Sequence, residues 1–452
     1  MGLSNQEKSR LVAELMADDL TREIREEATS GNLDPGSLHR RLSTLLNESS
    51  TLAGLEPGDQ RAVLGMTTGQ IKRLIPQKPR ELSPGEQVLG LEGEALWNWR
   101  RDLVKRTATP VGFVYEQARH SLELEPGHPR RRDLAWDIVN AAITAVRYTC
   151  VVGITDYVDG GLTDAQLNRA LFEVVRRPAD GSWSSLLWSP DTGAEHSLAH
   201  VLGEREQRVK ALDGLRSRLT KSCVPGKDTF GPIKGLPGKA PGTVKELADA
   251  FVSFRNELVH GVYSRKRPED DVLERPGRVL DVLLATLEPV LSLPLVVSRD
   301  GEFSLAAGPT LGSLDDLEVL GGEPLPKEWE SLPILLTGTR RLVLSPWVTV
   351  ADLSSAVVRA VAEQDEGEET EDSEVALSEI CFFNRFEGDL VHYLGFAARA
   401  QLPHTDLVES DRAQAAFQVF SEHMETLRLQ SAPAAARKAD PVQRFDALAG
   451  FH

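Results

Sequence analysis

Apolar residues recur along this chain with two different periods, and the change from one to the other divides it. In the first part they return every three or four residues, the spacing of a helix that buries one face. Leu11, Leu15, Leu20 and Ile24 follow it among charges, Leu38, Leu42, Leu45 and Leu46 follow it again, and a third stretch surrounds Ile71 and Leu74. Gly31 and Asp34-Pro35-Gly36 separate these segments as turns. The connector Pro76-Gln77-Lys78-Pro79, leading to Pro84-Gly85, closes a small N-terminal helical domain over 1–83. Such a unit either recruits a protein partner or packs on the next domain.

The longest helical block covers 86–295. The pattern predicts helices over 95–104, 111–122 and 133–158, the last carried by Leu134, Ile138, Ala142, Val146 and Val151. Thr163 offers an N-cap for the next helix, which holds Leu167, Leu171 and Val174. Trp183-Ser-Ser-Leu-Leu-Trp188 reads as a turn, and a helix runs from about Leu198 to Leu219. Residues 224–242, rich in Gly, Pro and Lys, read as a loop. Thr243 then starts a helix, and 272–291 closes the block.

After Leu293-Pro294 the runs shorten and are bounded by Gly and Pro, as strands are. Leu295–Ser298, Leu335-Leu336, Leu342–Leu344 and Val348–Val350 are such runs, and 380–384 with 390–395 makes a hairpin. An acidic run over 363–374 reads as a loop. These features predict a β-containing domain over 296–402. A C-terminal helix near 410–429 and a tail follow within 403–452. The expected fold class is therefore α+β and multidomain, predominantly α, with a central helical bundle followed by a smaller β-containing domain.

Composition adds constraints. The 452 residues are 41% hydrophobic and 26% charged, an ordinary globular mixture. A net charge of −17 repels phosphate backbones unless positive charge is locally concentrated. Cys150, Cys223 and Cys381 are too scattered for a disulfide framework or a thiolate zinc site. The N-terminus lacks a secretory pattern, and no apolar stretch reaches the ~18–20 residues of a membrane span. The expectation is a soluble, cytoplasmic chain with no membrane partner.

The helix over 245–262 carries the most informative chemistry. Leu247, Phe251, Phe254, Leu258 and Val262 fall on one stripe at the helical period, facing a core. Arg255 lands at the edge of that stripe, where a guanidinium is costly to desolvate unless something pairs with it. Asp249, Asn256 and His260 share another face. Asn256 and His260 are four apart, so their side chains can meet and fix the imidazole. Gly261 leaves room beside the histidine.

Phe254-Arg255-Asn256-Glu257-Leu258-Val259-His260-Gly261 resembles the Arg-x4–6-His signature of HEPN domains. Many of these are metal-independent endoribonucleases of toxin–antitoxin and phage-defence systems. The resemblance covers about 86–295, with the motif on a late helix after a variable loop. It implies that Arg255 polarises the scissile phosphate and that His260 is general acid or base. It further implies that Asn256 orients His260 or a phosphate oxygen. It implies RNA as substrate, no metal or other cofactor, and a homodimer in which two motifs face one composite site. Many HEPN-like domains have lost catalysis, so a noncatalytic interaction or regulatory protein is the competing expectation. The family's silenced toxins carry a Tyr two residues after the His. Here Val262 holds that place and Tyr263 comes one later, which weighs against regulation at that tyrosine.

Charge is unevenly distributed around the motif. Residues 204–267 hold 14 Lys or Arg against 7 Asp or Glu. Lys234, Lys239, Arg265, Lys266 and Arg267 lie on the predicted loops flanking the motif and are the candidate contacts to a polyanion. Other patterns are weaker. His196 and His200 share a helix face, but Ser197 stands where a zinc protease has Glu. Gly238-Lys239-Ala240 lacks the Ser or Thr of a phosphate loop. Trp97, Trp99, Trp183 and Trp188 read as core anchors.

Overall fold

The computed structural model describes residues 3–17, 19–30, 44, 52, 54–74, 82–161, 164–176, 179–188, 193–203, 209–216, 242–261, 263, 273–299, 302–309, 318–320, 332–338, 340–352, 378–387, 390–395 and 407–408. They belong to two compact units, Met1–Glu81 and Leu82–His452. Helix predominates, and the strands gather in antiparallel sheets in the C-terminal part. The expected helix over 38–46 apart from Thr44, the helix over 410–429, the loop over 224–242 apart from Gly242, and the acidic run lie outside the described residues. So do Thr163, Lys234, Lys239, Arg265, Lys266 and Arg267.

In the first unit, α1 (Asn5–Ala17), α2 (Asp19–Ser30) and α3 (Pro57–Leu74) are described. Val12, Leu15, Leu52 and Val63 form its core; of the spacing read along α1, Leu15 is buried and Leu11 packs partly buried against it, while Val12 lies outside that spacing. Asp59 ties the chain start to α3, accepting from the Leu3 backbone N–H at 2.9 Å and pairing with Lys8 at 3.0 Å.

The second unit is built around one long helix. Its helices are α4 (Pro84–Leu89), α5 (Gly93–Arg106), α6 (Thr109–Glu123), α7 (Leu134–Asp159), α8 (Ala165–Arg176), α9 (Asp180–Trp188), α10 (Leu198–Gly203), α11 (Val244–Val259) and α12 (Glu274–Leu291). Helix α7 is apolar almost all round, which is what a helix enclosed by others requires. It packs against α6, α9, α10, α11 and α12. By length and composition it could cross a membrane, which corrects the expectation that no stretch is long and apolar enough. However, 78% of its apolar window is buried inside this unit. Trp183–Trp188 is likewise corrected: it belongs to helix α9, with Trp183 fully buried. The helix expected over 198–219 is instead the short α10 and a 3-10 turn at Lys210–Arg216, with 204–208 between them undescribed.

One buried polar knot joins α5, α6 and α12. The Asp281 carboxylate, wholly buried, accepts from Arg100 through Nε at 3.1 Å and Nη2 at 2.7 Å, and from the Tyr115 hydroxyl at 3.0 Å. Burial works against the Arg100 charge, but Asp281 overcomes it and holds the guanidinium above its ordinary pKa. Arg278 adds a contact to Asp281 at 3.6 Å, and its Nη2 donates to the carbonyls of Val88, Leu89 and Leu91. These are carbonyls at and beyond the end of α4, and the Val88 carbonyl also accepts from the Leu91 N–H at 3.1 Å.

Two antiparallel sheets complete the unit. The first has the order β3-β2-β1-β4-β5, from β1 (Leu295–Arg299), β2 (Glu302–Leu305), β3 (Glu318–Leu320), β4 (Pro333–Thr337) and β5 (Arg340–Val343). The second is β6-β7-β8-β9, from β6 (Val348–Asp352), β7 (Ser378–Glu387), β8 (Leu390–Gly395) and β9 (Leu407–Val408). The expected hairpin of 380–384 with 390–395 forms, with a bulge between Phe383 and Arg385. Both sheets share one core with the helices. Arg340 of β5 pairs with Asp156 and Asp159 of α7, and Trp183 of α9 meets Trp347 and Phe383 edge-on at 5.8 and 6.4 Å. Approach is close at one crossing, where a Cβ on Gly112 of α6 would lie 3.1 Å from the backbone of Gly308.

The start of α8 shows how local hydrogen bonding shifts a charge. The Asp164 side chain accepts from the N–H groups of Gln166 and Leu167 at 3.0 and 2.7 Å, and from His196 Nδ1 at 3.0 Å. Partial burial pushes the Asp164 carboxyl up, but the hydrogen bonds from Leu167, His196 and Gln166 outweigh it and hold its pKa below the ordinary value. The stability this contributes is present above the unfolded carboxyl pKa and is lost as pH falls through the lower folded one. Below about pH 4, Asp164→Asn should therefore lose less stability on further acidification than wild type. Thermal unfolding across that range checks it; parallel pH profiles would rule it out.

Candidate functional site

Helix α11 begins at a capping box: the Thr243 hydroxyl accepts from the Glu246 N–H, and the Glu246 carboxylate accepts from the Thr243 N–H at 3.1 Å each. From this fixed start the helical period sets what faces the core. Leu247, Phe251, Phe254 and Leu258 are all buried, as their stripe requires, while Val262 lies outside the described residues. The helix packs on α7 and α9 and touches α12.

Two side chains on α11 bind α9. Asp249 accepts from the Ser184 hydroxyl at 2.6 Å, and Arg255 forms an ion pair with Asp180, Nε to Oδ2, at 3.3 Å. Ser184 and Asp180 are one helical turn apart on α9, so the two contacts run antiparallel along the helix pair. The partner that an arginine at the edge of an apolar stripe needs is therefore Asp180. Nothing in the local sequence pointed to it, because Asp180 lies 75 residues before Arg255, just ahead of the segment read as a turn.

The charge of Asp180 also acts on a second guanidinium. Arg147 of α7 is buried, lies 5.5 Å over the Trp183 ring, and donates from Nη2 to the Asn384 carbonyl at 3.0 Å. Asn384 is the residue left out of the β7–β8 pairing by the bulge. Burial pushes the Arg147 guanidinium below its ordinary pKa, and the charge of Asp180 works in the other direction. Beside this cluster is a hollow of about 10 Å³, lined by Asp180, residues of α7 and residues of α11. It holds no more than about one water.

His260 is the C-cap of α11, and its backbone N–H donates to the Asn256 carbonyl at 2.8 Å. Asn256 and His260 are exposed, and Arg255 is half-buried. The expected side-chain contact between Asn256 and His260 is not among the described interactions. The Asn256 side chain instead accepts from Arg255 Nη1 at 3.4 Å. Asp249, expected on the face of Asn256 and His260, is held to α9 by Ser184 and also pairs with Lys245 at 2.5 Å. A Cβ on Gly261 would lie 2.7 Å from the Glu257 Cα, so the chain can turn away directly after the histidine only with glycine there. Tyr263 packs edge-on against Phe254 at 6.4 Å, part of the core rather than of the open face.

No protein-family model, curated protein or solved structure matches the chain.

The remaining candidates have other partners. His196 is bonded to Asp164. Among the described residues, no group of three His, Cys, Asp or Glu side chains converges as a metal site needs. Trp183 and Trp188 are core residues, as expected. Trp97 departs from that expectation, being 37% exposed with the Arg101 guanidinium 4.4 Å from its ring.

Proposed function

We propose that this chain is a metal-independent endoribonuclease of the HEPN type, acting in bacterial defence or stress response. The observation that carries the reading is the contrast between two side chains on α11. Arg255 is oriented by Asp180 and Asn256, while the His260 ring stands in solvent with no hydrogen bond or ion pair among the described residues. A structural polar network would enclose the histidine; an acid or base must reach its substrate.

The chemistry follows from the groups. An RNA phosphate against Arg255 would have the negative charge of its pentacoordinate state stabilised by the guanidinium. The ribose 2′-oxygen attacks phosphorus and the bond to the 5′-oxygen breaks, leaving a 2′,3′-cyclic phosphate and a 5′-hydroxyl. One proton leaves the 2′-hydroxyl and one reaches the departing oxygen. His260 can carry one of these transfers. A second copy of the chain, as the HEPN resemblance implies, would bring a second histidine for the other. Lys234, Lys239, Arg265, Lys266 and Arg267 would hold the RNA by its backbone.

Incubating wild-type protein with RNA in EDTA should yield fragments ending in 2′,3′-cyclic phosphate. Absence of cleavage across varied RNAs, with a cell extract supplying activators, would sink the proposal. The alternative reading, a noncatalytic HEPN-like protein that dimerises and holds partners, draws on the Arg255–Asp180 ion pair, which already occupies part of the guanidinium. It expects no cleavage from the wild type.

A further inference from the structure

We propose that Asp180 is the positioning residue for Arg255, fixing one edge of the guanidinium so that another is left for the RNA phosphate. The inference rests on the nuclease reading for its function. Its geometry stands on separate observations. A guanidinium offers five N–H donors in a rigid plane. In Arg255, Nε faces Asp180 at 3.3 Å and Nη1 donates to Asn256 at 3.4 Å, while Nη2 has no partner among the described residues. Among the described residues, one side of the plane faces a carboxylate, a second an amide oxygen, and the third is open.

Asp180 can hold Arg255 because it is itself placed. It occupies the first turn of α9, whose Trp183 is locked among Trp347 and Phe383 of the C-terminal part. It also feels the charge of buried Arg147, which is tied to the bulge in β7. The Asp180 carboxylate is paired with the half-exposed Arg255 guanidinium. Taking part of the Arg255 charge, it keeps that side chain extended in one direction before substrate arrives, which removes an ordering cost from the reaction. It also opposes an incoming anion. Its loss should accordingly disturb catalysis more than binding.

The test compares wild type, Asp180→Asn and Asp180→Glu as full chains. In Asp180→Asn, kcat should fall by about 10–100-fold while KM does not rise, and Asp180→Glu should recover part of the loss. A merely structural role would lower stability, raise KM or leave kcat untouched. The second readout needs no activity. The Arg255 Nε–H resonance, assigned by its loss in Arg255→Lys, should be shifted and slow to exchange in wild type and should move to the solvent-exposed position in Asp180→Asn. An unchanged resonance overturns the positioning role, as does unchanged kcat in a wild type that cleaves. If wild type cleaves nothing, the nuclease reading fails, and the resonance alone decides whether Asp180 orders Arg255.

Discussion

His260→Ala should lower the rate of RNA cleavage by about 10²–10⁴-fold, the usual worth of a positioned proton-transfer group, with little change in melting temperature. The separation of the two effects comes from where the residue sits. Its ring is exposed and has no described side-chain partner, and the bond it makes to Asn256 uses the backbone, which alanine keeps. Few contacts are therefore lost on truncation. Arg255→Ala should also cripple cleavage, but it removes the ion-pair partner of Asp180. His260→Ala is consequently the cleaner variant. Rates measured in EDTA, with folding checked by circular dichroism, decide the matter. A variant as fast as wild type would remove His260 from the mechanism.

The largest effect on stability is expected at the buried polar knot. Asp281→Asn should destabilise the larger unit by about 3–5 kcal/mol, the cost of leaving a buried charge without its partner. Two guanidiniums, Arg100 and Arg278, lie against this carboxylate, and the Tyr115 hydroxyl donates to it. The amide keeps one acceptor oxygen and the shape, but it turns its other end into a donor facing donors. Urea unfolding followed by tryptophan fluorescence should show the loss as a lower midpoint. Combining Asp281→Leu with Arg100→Met and Tyr115→Phe should recover much of it, because a matched apolar set often replaces a buried ion pair without penalty. A single variant as stable as wild type would show that solvent reaches the knot.

What the sequence made legible was whatever a single segment decides. The repeat of Leu134, Ile138, Ala142 and Val146 is enough for α7, and Thr243 is enough for the start of α11. The buried stripe of α11 followed from spacing alone, because 3.6 residues per turn leave little freedom. The misreadings share a cause. Helix α9 is short, with Gly181 and three serines near its start, and weak intrinsic preference there is overridden by the burial of Trp183 against the second sheet. Strands β2, β3 and β9, too brief to show an alternating pattern, are fixed by neighbours in the sheets.

The candidate site divides the same way. Arg255, Asn256 and His260 belong to one helix, and their proximity could be read from the chain. The geometry that separates them could not. His260 is the C-cap, with a φ of −119° away from the helical value, so a side-chain pairing with Asn256 drawn on a regular helix does not carry over to it. Asp180, Ser184 and Arg147 reach α11 or its neighbourhood across long stretches of chain, and no local pattern reports such pairings.

The interlocked rings of Trp183, Trp347 and Phe383 have a consequence for anyone dissecting this gene product. A fragment stopped near residue 295, where helical spacing gives way to strands, would strip the cover from Trp183 and expose fresh apolar surface. Such a piece would tend to aggregate, and its silence in an assay would say nothing about the motif on α11. The smallest honest unit for dissection starts near Leu82 and keeps the strand that carries Tyr393, whose ring closes the aromatic stack on Phe383.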